Sequence, residues 1–406
     1  MNERPERGGA VPTTTRPLTR SPTLVTEVLV IVSVLAFWST PTQAATNSNV
    51  LHGFAAASGT DVWGVGYYLS GGIDHTLAEQ WNGTSWQIVS TPSPTTKNDF
   101  LNTPVALGAN DVWVVGSQGN STNGEGAGAR TLVEHWNGSA WSVVTSPNVA
   151  GSNQDLLRGA AATSPTDIWA AGRSKSSGGV KRTLIEHWNG SSWQIVPSPN
   201  LNDEGNGLES VAAVSPTDAW VVGSGTKNGT PQSLTEHWDG SSWKVVAAPS
   251  PGKGGAYPEG TLLWAVSGSA TDDVWGVGQY YDGSAIRTLA LHWNGGAWSQ
   301  VATPNVGPGE NQLRGVVALS STNAWAVGWS NVAGTYQTLV EHWDGTSWNV
   351  VSSPNQAGYS SYLKGIAAAS STDIWAGAYY QAGSTYRTLT EHWDGTSWSI
   401  VPSANV

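Results

Sequence analysis

The chain has 406 residues, of which 18 are Lys or Arg and 29 are Asp or Glu, for a formal net charge of −11. Beyond residue 44 the count is 14 basic against 26 acidic side chains, a balance that argues against nucleic acid or an anionic membrane surface as partner. The absence of cysteine excludes a disulfide framework and thiol chemistry, so cohesion must come from a Trp-rich core in a chain that has 24 Trp.

The N-terminal segment differs from the rest. Arg4, Arg7, Arg16 and Arg20 precede an apolar run at 28–38, and Thr42-Gln43-Ala44 offers a small-residue cleavage site. Residues 1–45 read as a secretory signal with a long basic leader. The run has eleven residues, short of the roughly 20 that span a bilayer; an uncleaved N-terminal anchor is the alternative. No Arg-Arg pair and no Cys point to twin-arginine export or lipidation. The expected location is secreted or cell-surface, with membrane contact only through this segment.

From residue 46 onward one unit recurs. Its most regular part is W-N/D-G-x-x-W: Trp81/Trp86, Trp136/Trp141, Trp188/Trp193, Trp238/Trp243, Trp293/Trp298, Trp343/Trp348 and Trp393/Trp398. First members lie 55, 52, 50, 55, 50 and 50 residues apart, a period that indicates a propeller or an array. Each unit opens on a Leu and a small-residue run, continues through a turn to D-V/I/A-W and Gly, and passes a variable stretch before T-L-x-E-H-W. The hairpin and a Pro-rich exit follow. The second Trp column is Trp63, Trp113, Trp169, Trp220, Trp275, Trp325 and Trp375. The repeats run approximately 50–100, 101–156, 157–207, 208–262, 263–312, 313–362 and 363–406.

Val, Ile, Trp and Thr runs punctuated by Gly, Pro, Asn and Asp give four strands per unit. The expectation is an all-β, seven-bladed β-propeller of seven tandem four-stranded repeats of about 50 residues, one domain over 46–406. The hairpin leaves two registers open. A type I′ turn centred on Asn189-Gly190 pairs Trp188 with Ser191 and Glu186 with Trp193; a four-residue loop pairs Trp188 with Trp193. Either way the tryptophans share a face. They are expected to pack blade on blade, with a ring of carbohydrate-stacking platforms as the alternative. Sevenfold symmetry holds Glu-His pairs such as Glu134-His135 and Glu391-His392 apart, so they cannot converge on a metal; neither metal nor cofactor is expected.

D-I-W-A-A-G, then E-H-W-N-G-S-S-W-Q-I-V-P-S-P, resembles the repeats of kelch-type, galactose-oxidase-like propellers over residues 50–406. A single Gly, as at Gly116, Gly172 and Gly328, stands where kelch repeats carry a doublet. The Trp hairpin is also similar to the Asp-box hairpin of sialidase-like propellers, at a different spacing. The resemblance implies the architecture and no particular activity. Lacking Cys, the chain has no counterpart to the cysteine-tyrosine redox centre of galactose-oxidase relatives. The three clustered arginines of a sialidase are suggested only by Arg158, Arg314 and the Lys364 position.

In a four-stranded antiparallel blade, the 1–2 and 3–4 connections emerge on one face, and the 2–3 and blade-to-blade connections on the other. The first set is short and monotonous. The second is long and varied, as at 117–130, 173–182, 251–261 and 307–312, and variable connections on a rigid frame are where function concentrates. All eleven Tyr fall there, in units 1, 5, 6 and 7 or the connection into 5. With Trp329 they form a candidate binding sector: Tyr67, Tyr68, Tyr280, Tyr281, Trp329, Tyr379 and Tyr380. A second candidate is the residue after each opening Leu, expected at the mouth of the central channel: His52, Asn102, Arg158, Glu209, Trp264, Arg314 and Lys364. Arg158, Arg314 and Lys364 suit an acidic group.

No nucleophile elbow, His-Glu-x-x-His or phosphate loop is present, and no catalytic residues are assigned. The sequence supports a monomeric binding module for a glycan or protein ligand. The alternatives are a carbohydrate-active hydrolase or lyase using carboxylates such as Asp74, Asp99, Asp155, Asp203, Glu204, Glu259, Asp282 and Glu310, and an exported structural repeat protein.

Overall fold

The computed structural model describes residues 47–119, 126–254 and 259–406. The segment expected to be a signal, 1–45, and Tyr257 lie outside them. The second of the chain's two units, Ala45–Val406, holds every described residue.

Blade 1 comprises β1 (Asn49–Ser58), β2 (Asp61–Ser70), β3 (Ile73–Trp81) and the short β4 (Trp86–Ile88). Blades 2 to 7 repeat the pattern as β5–β8 (98–143), β9–β12 (152–195), β13–β16 (206–245), β17–β20 (261–301), β21–β24 (311–351) and β25–β28 (360–400). Each blade is a contiguous antiparallel sheet of four strands in chain order. No strand is exchanged to close the ring: β1 packs on β25 and β26 as β5 packs on β1. Two bonds reinforce that seam, Val406 N–H to Asn49 Oδ1 at 2.9 Å and Tyr386 N–H to Ser48 Oγ at 3.1 Å. The protein is a seven-bladed β-propeller, and no helix occurs among the described residues.

The tryptophans are the mortar between blades. Each second-strand Trp meets the hairpin pair of the next blade. Trp63 lies 5.2 Å from both Trp136 and Trp141, Trp220 4.7 and 5.2 Å from Trp293 and Trp298, and Trp375 closes the circle on Trp81 and Trp86 at 4.8 and 5.2 Å. Contacts to the second member are edge-on, 89° for Trp63–Trp141 and 90° for Trp220–Trp298, the arrangement the aromatic quadrupole favours. Burying an indole removes roughly 150–250 Å² from water, about 4–6 kcal/mol at ~25 cal/mol per Å².

The hairpin takes the four-residue form. Trp188 pairs with Trp193 and Glu186 with Ile195. Asn189 does not adopt positive φ; only Gly190 does, at 89°. Asn189 Oδ1 instead accepts from Ser191 N–H at 3.0 Å and Ser192 N–H at 3.1 Å, an Asx turn that replaces the I′ geometry. Tight two-residue turns with both central φ positive occur on the other face, at Asn228-Gly229 (52° and 75°) and Ala333-Gly334 (53° and 87°). The varied 2–3 connections are therefore mostly strand. In 173–182, Arg173 pairs with Thr183, Ser174 with Arg182 and Lys175 with Lys181, so side chains there sit on rigid ladders.

The repeated Glu and His are framework. His135 stacks on Trp113 at 4.2 Å and its Nε2 bonds Asp111 at 2.8 Å; Trp220–His237 with Asp218 repeats this at 4.4 and 2.9 Å. In blade 1 Gln80 stands in, donating to Asp61 at 2.7 Å. Glu79, Glu134, Glu186, Glu236, Glu341 and Glu391 are fully buried between blades, with Leu291 at the equivalent place in blade 5. Burial pushes Glu236 up to about 8 and Glu134 up to about 9, so these carboxyls are held neutral.

Candidate functional site

Seven β-bulges build the site. The first strand of every blade skips one residue against the second, between Leu51 and Gly53, Leu101 and Thr103, Leu157 and Gly159, Leu208 and Ser210, Leu263 and Ala265, Leu313 and Gly315, and Leu363 and Gly365. The skipped residues are His52, Asn102, Arg158, Glu209, Trp264, Arg314 and Lys364. A bulge residue is outside the ladder and is re-aimed by the kink. All seven line one central cavity of about 1040 Å³. Gly stands opposite the bulge in blades 1 to 6 and Ala378 in blade 7; a Cβ on Gly172 would sit 1.9 Å from the Leu156 carbonyl oxygen, and one on Gly223 2.0 Å from that of Gly207.

Side chains at the mouth contact a second varied column, the residue after that Gly or, in blade 7, after Ala378: Tyr67, Ser117, Arg173, Ser224, Gln279, Trp329 and Tyr379. His52 meets the Tyr67 ring at 5.4 Å. Trp264 Nε1–H donates to Gln279 Oε1 at 3.1 Å. The Arg314 guanidinium lies 3.8 Å from the Trp264 ring centroid and 4.6 Å from that of Trp329, two cation–π contacts, and donates to Gln312 Oε1 at 2.9 Å. Lys364 Nζ lies 5.3 Å from the Tyr379 ring. Glu209 approaches Arg158 at 3.9 Å and Arg173 at 3.7 Å.

The aromatic sector and the channel mouth are thus continuous in part. Trp329 meets Tyr362 at 5.3 Å, Tyr362 meets Tyr336 at 5.2 Å and Tyr379 at 4.9 Å, and Tyr379 meets Tyr386 at 5.0 Å. Strand alternation divides the rest. Tyr68, Tyr280 and Tyr380 lean on the apolar cores between blades 7 and 1, 4 and 5, and 6 and 7. Tyr280 and Tyr281 are not in the cavity wall. Arg173, Gln279 and Tyr362 are the site residues that sequence reasoning missed. Variation of the position after an otherwise fixed Gly was the available signal.

Electrostatics distinguish the cavity from the acidic body. Burial and the proximity of Lys364 and Arg158 hold His52 well below the usual imidazole range. Burial, then Arg314 and Arg158, push the Lys364 ammonium down to about 7. Burial raises Tyr67 to about 12. Six of the eight loop carboxylates are held by neighbouring donors. Asp99 accepts from Thr95 N–H at 3.1 Å. Asp155 faces Arg130 at 3.6 Å, and Asp203 faces Arg182 at 3.1 Å. Asp282 binds Arg287 at 2.7 Å. Glu310 accepts from Tyr336 Oη–H at 3.2 Å. Glu204, on the cavity rim, accepts from Asn228 and Gly229 N–H at 2.8 and 2.9 Å. No group of three metal-ligating side chains occurs among the described residues.

No family model matches the chain, and no curated protein does. Among solved structures it is similar to an ulvan lyase from a polysaccharide lyase family, at 10% identity over 86% of this chain and 96% of that one, with a TM-score of 0.56. The same kind of lyase bound to GlcA(1-4)Rha3S gives 11% identity over 86% and 95%, with a TM-score of 0.55. A lectin from Aleuria aurantia in complex with Fucα1-6GlcNAc gives 12% over 75% and 96%, with a TM-score of 0.43. At these identities the likeness to the lyases shows the propeller fold alone, and the kelch-like resemblance gains no support from it.

Proposed function

We propose that this protein is an exported binding module that takes a glycan at the channel mouth, on the face opposite the Trp hairpins. The observation that carries the reading is the convergence of all seven bulge residues on one cavity of about 1040 Å³, at the upper end of ligand-site sizes. Phe54, Leu262, Val316 and Ile366 give the wall apolar surface, and Asn102, Thr103, Ser224 and Thr226 give it amide and hydroxyl groups, a mixture suited to sugar rings. The export part rests on the basic leader, the apolar run at 28–38 and Thr42-Gln43-Ala44. A glycan array probed with the full chain tests the ligand class; a chain that binds a protein partner and no glycan would overturn it. Mass spectrometry of protein recovered outside the cell should find an N-terminus near Ala45.

A second reading, a carbohydrate-active lyase or hydrolase, is favoured by one observation. Lys364, brought down to about 7 by burial and its cationic neighbours, has the proton affinity a general base needs at neutral pH. Release of new reducing ends from acidic polysaccharides, abolished in Lys364→Met, would select that reading over simple binding.

A further inference from the structure

Charge in this protein is distributed unevenly. Of the 14 Lys and Arg after residue 44, six line the central cavity: Arg158, Arg173, Lys175, Lys181, Arg314 and Lys364. Only two of the 26 carboxylates do, Glu204 and Glu209. Glu204 is taken up by backbone N–H groups of Asn228 and Gly229, and Glu209 lies between Arg158 and Arg173. On the blade 6–7 side no carboxylate forms an ion pair with Lys364 among the described residues; its neighbour is the Tyr379 ring. The Arg314 guanidinium lies against both the Trp264 and Trp329 rings. Like charges gathered in a partly enclosed space repel one another strongly, and an anion relieves that repulsion.

Resting on the glycan reading above, we propose that the cavity is a seat for an acidic oligosaccharide, whose carboxylate or sulfate group is held by Arg314 and Lys364, with Arg158 at its side. A planar guanidinium meets either group through paired N–H donors, and the ammonium adds a point charge. The lowered proton affinity of Lys364 agrees with a site whose counter-ion is the ligand. The cavity extends over blades 3 and 4, where Lys175 and Lys181 face each other across the β10–β11 ladder. A linear chain with repeated charges would meet cations at both ends of that path. Ser224 and Thr226 on the same wall suit its hydroxyls. An acidic peptide is the weaker fit, because the two indoles that could anchor a side chain, Trp264 and Trp329, are already covered by Arg314.

The test is calorimetric titration of the full chain with four probes: a galacturonate oligomer, a sulfated galactan oligomer, a neutral gluco-oligomer of the same length, and a glutamate-rich peptide. One acidic oligomer should bind about tenfold or more tighter than the neutral one, and the advantage should shrink with added salt. Whether the uronate or the sulfated probe wins identifies the anionic group. Lys364→Gln should lose about tenfold or more in affinity while its thermal midpoint stays level or rises, since it removes an uncompensated cation. A structural lysine would show the opposite midpoint. Lys244→Ala, at the Trp-hairpin face beside Asp239, should change neither. If Lys364→Gln does not fold, Arg158→Gln and Arg314→Lys take its place, each expected to weaken the acidic probe alone. Equal binding of neutral and acidic sugars would overturn the anion seat and leave the glycan reading intact. Binding of the peptide and no sugar, or of nothing, would overturn both.

Discussion

The buried glutamates give this protein an unusual dependence of stability on pH, and Glu236 is the cleanest place to measure it. The side chain is fully buried, neither carboxyl oxygen has a hydrogen-bond partner among the described residues, and burial alone pushes it from 4.5 to about 8. The folded state therefore holds a proton that the unfolded state releases above 4.5. A group raised in this way contributes its full stability below pH 4.5 and loses it as pH rises through 8. Each pH unit in that window costs about 1.4 kcal/mol, so the whole interval amounts to roughly 5 kcal/mol for this one residue and about 3 kcal/mol by pH 7. Glu79, Glu134 and Glu186 carry the same sign, at about 8, 9 and 8, and the ring as a whole should weaken from pH 5 to 8. The exposed hairpin carboxylates Asp239 and Asp344 are shifted downwards and act in the opposite sense at low pH, but solvent screens them.

Glu236→Gln removes the titration and leaves a buried amide, which costs about 1–3 kcal/mol when unpaired. The variant should be less stable than the parent at pH 4.5 and more stable at pH 8, with the curves crossing near pH 6 when that cost is about 2 kcal/mol. Glu236→Leu copies the natural Leu291 of blade 5, which is fully buried, and should show the flat pH response without the amide penalty. Urea unfolding midpoints at pH 4.5, 6 and 8 decide the matter. Parallel pH dependences for parent and both variants would refute the claim that Glu236 is neutral in the folded ring.

Trp193 is 5% exposed and packs edge-on against Trp113, so Trp193→Ala should cost roughly 3–5 kcal/mol by denaturant unfolding; a loss under about 1 kcal/mol would mean the indole is not part of the core. Asn189→Ala deletes the Asx turn and should cost about 0.5–1.5 kcal/mol while leaving ligand affinity unchanged in the same titrations. Tyr280→Ala should lower the thermal midpoint and spare binding, because that ring leans on the blade 4–5 core. Tyr379→Ala should weaken binding about tenfold, because that ring faces Lys364.

Repetition made the fold legible. Seven Trp pairs and an opening Leu recur at one period, with a Gly in register in six of the units, and only a closed ring gives each Trp63-type indole a partner pair in the next blade. The hairpin register was not decided by residue type, because Asn-Gly suits both a two-residue turn and an Asx turn; the pairing of Trp188 with Trp193 is settled by the packing of both rings on Trp113. The channel-mouth column was visible as variation beside a constant Leu. Arg173 and Gln279 escaped notice because they lie in stretches that looked like loop and are in fact ladder. The buried state of Glu236 was invisible for a different reason: polarity alternates on a strand as expected for a solvated face, and only the neighbouring blade covers it.

Seven nearly identical blades would make a featureless symmetric channel unless some position were free to differ without cost to pairing. The bulge provides that position. Its residue forms no ladder partner, the Gly across from it in blades 1 to 6 yields to the displaced carbonyl, and the Trp contacts that hold blades together are made by other residues. Charge and aromatic content at the mouth can therefore be set blade by blade. Blades 3 and 4 place Arg158, Arg173 and Glu209 together and neutralise much of their own field. Blades 5 to 7 place Trp264, Arg314, Trp329, Lys364 and Tyr379 together, and among the described residues no carboxylate forms an ion pair with Lys364. The Lys364 side of the cavity has no lining carboxylate on blades 5 to 7, so a ligand's anionic group should point there, with any further charges of a linear chain over Lys175 and Lys181 of blade 3.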